Sequence, residues 1–209
     1  MSNELIRVRQ FQQDDLDAMY RICLLTADGG EDGTHLYSDP QLPGHLFMAP
    51  YTIFEPSLAF VAEDSEGVGG YIVAALDTAA FERRLEKEWW PDLRARYAEA
   101  APDGADGMSQ AERYARHNIH HPWGPNPELI ERYPSHLHID LVPRMQGQGA
   151  GRRLIETLVA ALRAQGSHGL HLFVGFGNER APGFYRHVGF TQLPIEDIQA
   201  FAMDLASAR

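Results

Sequence analysis

Apolar and polar residues alternate from Leu5 to Gln10, and this period of two predicts a first strand. From Asp14 the apolar positions Leu16, Met19, Tyr20, Cys23, Leu24 and Ala27 shift to helical spacing, with Asp14 and Asp15 suitably acidic at the entry. Asp28 to Gly33 packs three glycines and three acids into six residues, which predicts a mobile acidic loop. Prolines crowd residues 39–50 and leave room for one short helix around Leu46, Phe47 and Met48. Leu58 to Glu63 and Val68 to Asp77 are β-rich runs separated by Asp64-Ser65-Glu66-Gly67, a hairpin by composition.

Residues 78–134 are too long for a bare connection and should carry helices of their own. Phe81, Leu85, Trp89, Leu93 and Tyr97 recur every four residues and predict one helix. A second fits Ser109 to about Asn118, opened by the capping-box pair Ser109 and Glu112. The pattern then returns to period two, with Leu137, Ile139 and Leu141 alternating against His136, His138 and Asp140 until Pro143 ends the strand. Leu154, Ile155, Leu158, Val159 and Leu162 define one stripe of a long amphipathic helix stopped at Gly166. Beyond it the pattern gives a strand at Gly169 to Val174, a helix at Asn178 to Val188, a short strand at Phe190 to Leu193 and an edge strand at Gln199 to Leu205.

Between the Leu137–Leu141 strand and the long helix lies Gln146-Gly147-Gln148-Gly149-Ala150-Gly151, a turn suited to an anion. Glycine allows close approach of a ligand to the backbone, and the first N–H groups of a helix have no partner within it. Arg152 and Arg153 oppose the dipole at this end, which is easier to understand if a polyanion binds there. Arg152 stands where a dinucleotide fingerprint needs a small residue, and no Gly-Lys-Ser/Thr tripeptide makes a phosphate loop.

What remains is a [Gln/Arg]-x-x-Gly-x-[Gly/Ala] turn filled by Gln146, Gly149 and Gly151, which resembles the acetyl-CoA-binding turn of the GNAT acetyltransferase superfamily. Asn178 after a strand, Phe184-Tyr185 in a helix, and Gly189-Phe190 leading to another strand resemble that superfamily's next helix. Met19 to Cys23, Ser38-Asp39-Pro40, Trp89-Trp90-Pro91, Ser109 to Glu112 and His138-Ile139-Asp140 resemble the acetyltransferase-like domain at the C-terminus of eukaryotic O-GlcNAcases and its free-standing bacterial homologues. The eukaryotic domain lacks an intact glycine turn, and this chain keeps one.

The resemblance implies an α/β (α+β) GNAT fold: a mixed, mostly antiparallel, strongly twisted sheet of six to seven strands flanked by helices. Residues 78–134 would be a helical insertion between strands 3 and 4 of a single domain covering 1–209. The implied activity is acetyl transfer from acetyl-CoA to an amine, and the alternative is a pseudo-acetyltransferase acting as an interaction module. The N–H groups of Gln146, Gly147, Gln148, Gly149, Ala150, Gly151 and Arg152 would hold the pyrophosphate. Leu141 and Val142 would pair with the pantetheine arm as an added strand does, with Asn178 beside it. Tyr185 matches the superfamily tyrosine placed to protonate the coenzyme A sulfur, and an ordinary tyrosine pKa of about 10 suits an acid. Asp140, with His138 two residues earlier on the same strand face, is the candidate to take the proton from the amine.

Composition adjusts this picture at a few points. The 209 residues suffice for one substantial core. A net charge of −11 argues against nucleic acid or an anionic membrane as partner and fits an amine acceptor, small molecule or protein. The single cysteine, Cys23, permits no intrachain disulfide and reads as a buried apolar residue. With neither a leader pattern nor a long apolar run, the expectation is a soluble cytoplasmic protein, monomeric or homodimeric. His117, His120 and His121 have a spacing open to metal ligation, though solvated histidines are the commoner outcome and no metal is assigned. Trp89, Trp90 and Trp123 have two readings, core or cleft lining, with core ahead for Trp89.

Overall fold

The computed structural model describes residues 6–101, 106–124, 126–175, 177–195 and 198–206. Its elements in chain order begin with β1 (Arg7–Gln10), α1 (Leu16–Leu25), α2 (Leu42–Phe47), α3 (Ala49–Phe54), β2 (Ala59–Asp64) and β3 (Gly67–Ala75). Four helices follow: α4 (Thr78–Glu88), α5 (Trp90–Arg96), α6 (Gln110–His120) and α7 (Pro127–Arg132). The rest is β4 (Ser135–Leu141), α8 (Ala150–Ala164), β5 (Gly169–Val174), α9 (Ala181–His187), β6 (Thr191–Leu193) and β7 (Gln199–Asp204). Leu5, where the first strand was expected to begin, lies outside the described residues.

The seven strands form one sheet in the order β1-β2-β3-β4-β5-β7-β6. Every neighbouring pair is antiparallel except β4 and β5, which run parallel. That exception matters most. β4 and β5 are in register only at Ser135 with Leu170 and His136 with His171, after which the strands part. β4 stays paired to β3 as far as Leu141 opposite Gly70, and β5 stays paired to β7 as far as Val174 opposite Gln199. The sheet therefore opens as a wedge along the second half of β4.

Two helical layers cover the sheet. The α8 stripe is buried as its spacing predicts, with Leu154, Ile155, Leu158, Val159 and Leu162 all inside, packed on β1 to β4. Each such side chain contributes about 1.5–3 kcal/mol by leaving water. On the other face, α1 buries Met19, Ile22 and Cys23 against β3 and β4. Successive residues of β4 point to opposite faces, so Leu141 lies on the α8 side and Asp140 on the α1 side.

Several expectations need correction. The prolines at 43 and 50 do not forbid helices but start them, since each occupies the first turn, where no N–H is required; two short helices result instead of one. The single helix expected from Phe81 to Tyr97 breaks at Trp89, where Pro91 opens α5. Helix α7 was not anticipated, although Asn126 before Pro127 is its signal: the Asn126 Oδ1 accepts from the N–H groups of Glu128 and Leu129 at 3.0 and 3.2 Å. β7 is not an edge strand. It lies between β5 and β6 with Ala200, Phe201 and Ala202 buried, because an apolar run of that kind is satisfied only with neighbours on both sides. The Asp28–Gly33 loop is a hydrogen-bonded turn, with Gly30 N bonded to Thr26 O at 3.0 Å and Gly33 N to Leu24 O at 3.1 Å.

The segments that carry the resemblance meet in a clamp. Ser109 caps α6 as expected, its Oγ accepting from Glu112 N at 2.9 Å. The Glu112 carboxylate does not return to the cap: it accepts from Ser38 N at 2.8 Å, Ser38 Oγ at 2.6 Å and Arg116 Nη2 at 2.7 Å. Asp39 takes the Tyr97 hydroxyl at 2.7 Å and Arg96 at 2.8 Å. Among the tryptophans, Trp90 is buried, Trp89 packs on the core and donates to His45 O at 2.9 Å, and Trp123 is exposed.

Tight backbone contact also fixes the start of β5. A Cβ at Gly169 would stand 2.8 Å from Tyr133 Cα and closer still to the Arg132 carbonyl, neither of which is a flexible side-chain end. Gly169→Ala should therefore cost about 1–3 kcal/mol, measured as a lower denaturation midpoint in urea at unchanged slope.

Candidate active site

The wedge between β4 and β5 has the glycine turn at its mouth. Val142 N bonds to Gly69 O at 2.9 Å, continuing the β3 pairing, and a short 3-10 turn at Pro143–Met145 then leads into the glycines. Gly147 and Gly149 have φ of +70° and +82°, the left-handed region that glycine enters without strain. A side chain at either would meet nothing within 4 Å, so the backbone here faces open space. No hydrogen bond among the described residues uses the N–H of Gly147, Gln148, Gly149, Ala150, Gly151 or Arg152. Six consecutive free donors at the N-terminus of a 15-residue helix make a strongly anion-attracting concavity.

Two sequence-based assignments around this turn change, those of Gln146 and Arg153. The Gln146 N–H is already bonded to Pro143 O at 3.1 Å and its side chain folds back on Leu141 O at 2.9 Å, so Gln146 shapes the turn and offers no donor. Gly151 is small because Phe184 of α9 packs on it: a Cβ would come within 2.9 Å of that ring. Arg153 is not held for a polyanion, since its guanidinium donates to Ile6 O at 2.7 Å and ties α8 to the first strand. Among the described residues Arg152 pairs with Glu156, at 3.4 Å on the exposed surface. Nearby, Arg144 is committed to Asp64 and Gly67 O, which locks the 3-10 turn to the β2–β3 hairpin.

Further into the wedge, β4 presents Asp140 and His138. Asp140 is opposite Tyr71 in the register and accepts a hydrogen bond from its hydroxyl. Burial pushes the Asp140 carboxyl up to about 6, while hydrogen bonds from Tyr71 and Thr26 pull the other way. Tyr71 also bonds the Cys23 thiol, which burial holds well above its ordinary value, so Cys23 is the inert packing residue its position suggested. His138 lies among Phe47 and Tyr51, with ring centroids 5.5 and 5.4 Å away, and burial lowers it to about 4. At neutral pH it is uncharged. A protonated Asp140 would hold its proton more firmly than a protonated His138, so of the two Asp140 is the better base.

His136, two residues before His138 on the same face of β4, is a buried structural residue: Nε2 meets Tyr51 Oη at 2.8 Å and Nδ1 meets Thr78 Oγ1 at 2.8 Å. Tyr185 is buried between Phe184, Phe190 and Phe201, with ring centroids 5.3–5.6 Å away. Burial, reinforced by the Asp140 charge, drives its hydroxyl far above 10, and no hydrogen bond to a described residue occupies that hydroxyl. Asn178 accepts from Ala181 N, the first residue of α9, at 3.1 Å, and its amide lies beside Gly30, so it joins the start of that helix to the acidic loop. Tyr71 and Thr26 were missed by sequence reasoning. Tyr71 sits in a strand the pattern located, but nothing in the chain order shows which residue faces it.

A mixed seven-stranded sheet splayed beside a glycine turn defines the acetyltransferase (GNAT) class, and the model for that family matches residues 108–190. The chain belongs to the GNAT acetyltransferase family. The solved structure of SsHAT is 33% identical and superposes with a TM-score of 0.84 over 97% of this chain and 99% of that one. Protein O-GlcNAcase of Rattus norvegicus is 24% identical over 205 residues, which are 98% of this chain and 22% of that protein. The chain thus spans about a fifth of the length of the curated relatives it matches. The structure of yncA from Salmonella typhimurium with its cofactor acetyl-CoA matches at TM-score 0.54 and 14% identity, covering 98% of this chain and 96% of that one, a likeness of fold alone.

Because the Tyr71 hydrogen bond stabilises the ionised carboxylate, Tyr71→Phe should raise the Asp140 pKa above about 6. Titration of the labelled Asp140 carboxyl carbon by NMR measures this directly.

Proposed function

We propose that this protein is an acetyl-CoA-dependent N-acetyltransferase that moves the acetyl group directly to an amine acceptor. The observation that carries the reading is the run of six unpartnered N–H groups at the mouth of a wedge whose inner wall carries Asp140. The residues present fit the cofactor. Gly147 and Gly149 leave the backbone bare for a diphosphate, and β4 beyond His136 offers main-chain groups that no strand of the sheet takes up, suited to an amide-bearing arm.

Acetyl-CoA supplies an acyl group on a good leaving group. The chain supplies placement and proton handling. Asp140, ionised above pH 6, takes a proton from the acceptor ammonium, directly or through a water, and so exposes the nitrogen lone pair. The Tyr185 hydroxyl would supply the proton that the thiolate of the spent cofactor needs. Its high pKa keeps it protonated until then. Neutral His138 and the aromatic rings around it exclude water and leave the acceptor's positive charge unopposed. The acidic protein as a whole favours approach of a cationic acceptor.

Calorimetric titration with acetyl-CoA should give saturable binding at one site per chain, weakened at least tenfold by Gly149→Val, since a β-branched residue does not tolerate φ of +82°. Thiol release over a panel of amines should then identify acceptors. Absence of binding would remove the proposal, and tight binding with no turnover on any amine or protein acceptor would favour an interaction module.

The rate should fall as pH drops through about 6, where Asp140 takes up a proton. Asp140→Asn should lower turnover by about 10²–10⁴-fold and abolish that acid limb while leaving acetyl-CoA affinity within a factor of three.

A further inference from the structure

Away from the wedge, the helical segment between β3 and β4 brings two histidines and a carboxylate together. His117 lies in the last turn of α6 and His121 is the residue that caps its C-terminus, and their rings come together with centroids 4.6 Å apart. Glu99, in the chain after α5, reaches over both: its Oε1 is 2.7 Å from His121 Nε2 and 3.8 Å from His117 Nδ1. One ligand atom from each of the three falls within 4.8 Å of the others. Around a tetrahedral zinc with bonds of about 2.0–2.1 Å, neighbouring ligand atoms stand about 3.3 Å apart, a value these two distances bracket.

We propose that Glu99, His117 and His121 form a binding site for a divalent transition-metal cation, with zinc as the best fit. Two imidazoles and one carboxylate select against calcium and magnesium, which prefer all-oxygen shells, and leave a further position for water. The backbone of the two residues just before Glu99 is already held. His120 Nε2 meets Tyr97 O at 2.8 Å and Arg116 Nη1 donates to Ala98 O at 3.3 Å, so the carboxylate sits over α6 before any ion arrives. His120, third of the histidines noted from the sequence, is thereby turned away from the other two. All three ligands are exposed, 48–60% for their side chains, so an ion reaches them without any opening of the fold. A bound cation would cross-link the chain after α5 to α6 and tighten the helical segment that flanks the sheet. This site stands independently of the acetyl-transfer reading.

The test uses the untagged chain, stripped with chelator and titrated with zinc chloride in a calorimeter, with thermal melts in parallel. One equivalent should bind and raise the melting midpoint. His117→Ala, His121→Ala and Glu99→Ala should each weaken binding at least tenfold and abolish the midpoint shift, whereas His120→Ala should bind zinc as the parent does. No saturable binding overturns the proposal. So does binding that survives His121→Ala, or that falls equally with His120→Ala, because the ion would then be held elsewhere.

Discussion

Everything in this molecule turns on an interrupted parallel pairing. Strand hydrogen bonds between β4 and β5 run only from Ser135 and His136 to Leu170 and His171, after which each strand keeps its other neighbour and the two diverge. Backbone groups lining such a gap need partners, because an unsatisfied buried N–H or carbonyl costs roughly as much as a lost hydrogen bond. The fold answers in part from within, with the Gln146 side chain on Leu141 O, and otherwise leaves a slot with the geometry of a missing strand. The acetyl-CoA arm proposed above, with amide groups along its length, would complete it.

The electrostatics follow from the same opening. At one end lie the free N–H groups of the turn, with the dipole of α8 behind them and no acid in that helix's first turn. Inside, the environment is aromatic and poorly solvated, so each titratable group moves toward its neutral form: Asp140 up, His138 down, Tyr185 up. The result is a carboxylate poised near neutral pH within a site that carries little other charge. Tyr71 and Thr26 moderate the shift, holding Asp140 low enough to be ionised in neutral solution.

The remaining polar clusters brace the walls. Glu112 with Ser38 and Arg116, and Asp39 with Tyr97 and Arg96, fasten α6 and the α4–α5 pair to the loop after α1, so residues that look functional in the linear pattern have chiefly a bracing role. The Arg153 contact to Ile6 O does the same for α8 and β1. Such pairs are hard to tell from ligand contacts in sequence, because a guanidinium bound to a carbonyl and one bound to phosphate occupy the same position in the chain.

Local pattern and local chemistry were enough to place the α8 stripe, the β2–β3 hairpin, the β4 alternation and the glycine turn, because each depends on residues within about one turn or one strand of each other. They also put Asp140 and His138 on one face of β4 and made Cys23 a buried residue. Facts of long-range register were decided by the tertiary structure: Tyr71 opposite Asp140, β7 inserted between β5 and β6, Phe184 against Gly151, Glu99 over His117 and His121. Spacing along a chain fixes which side chains share a face. Only the packed fold decides which faces meet, since that choice is made by summed burial and hydrogen bonding over segments tens of residues apart.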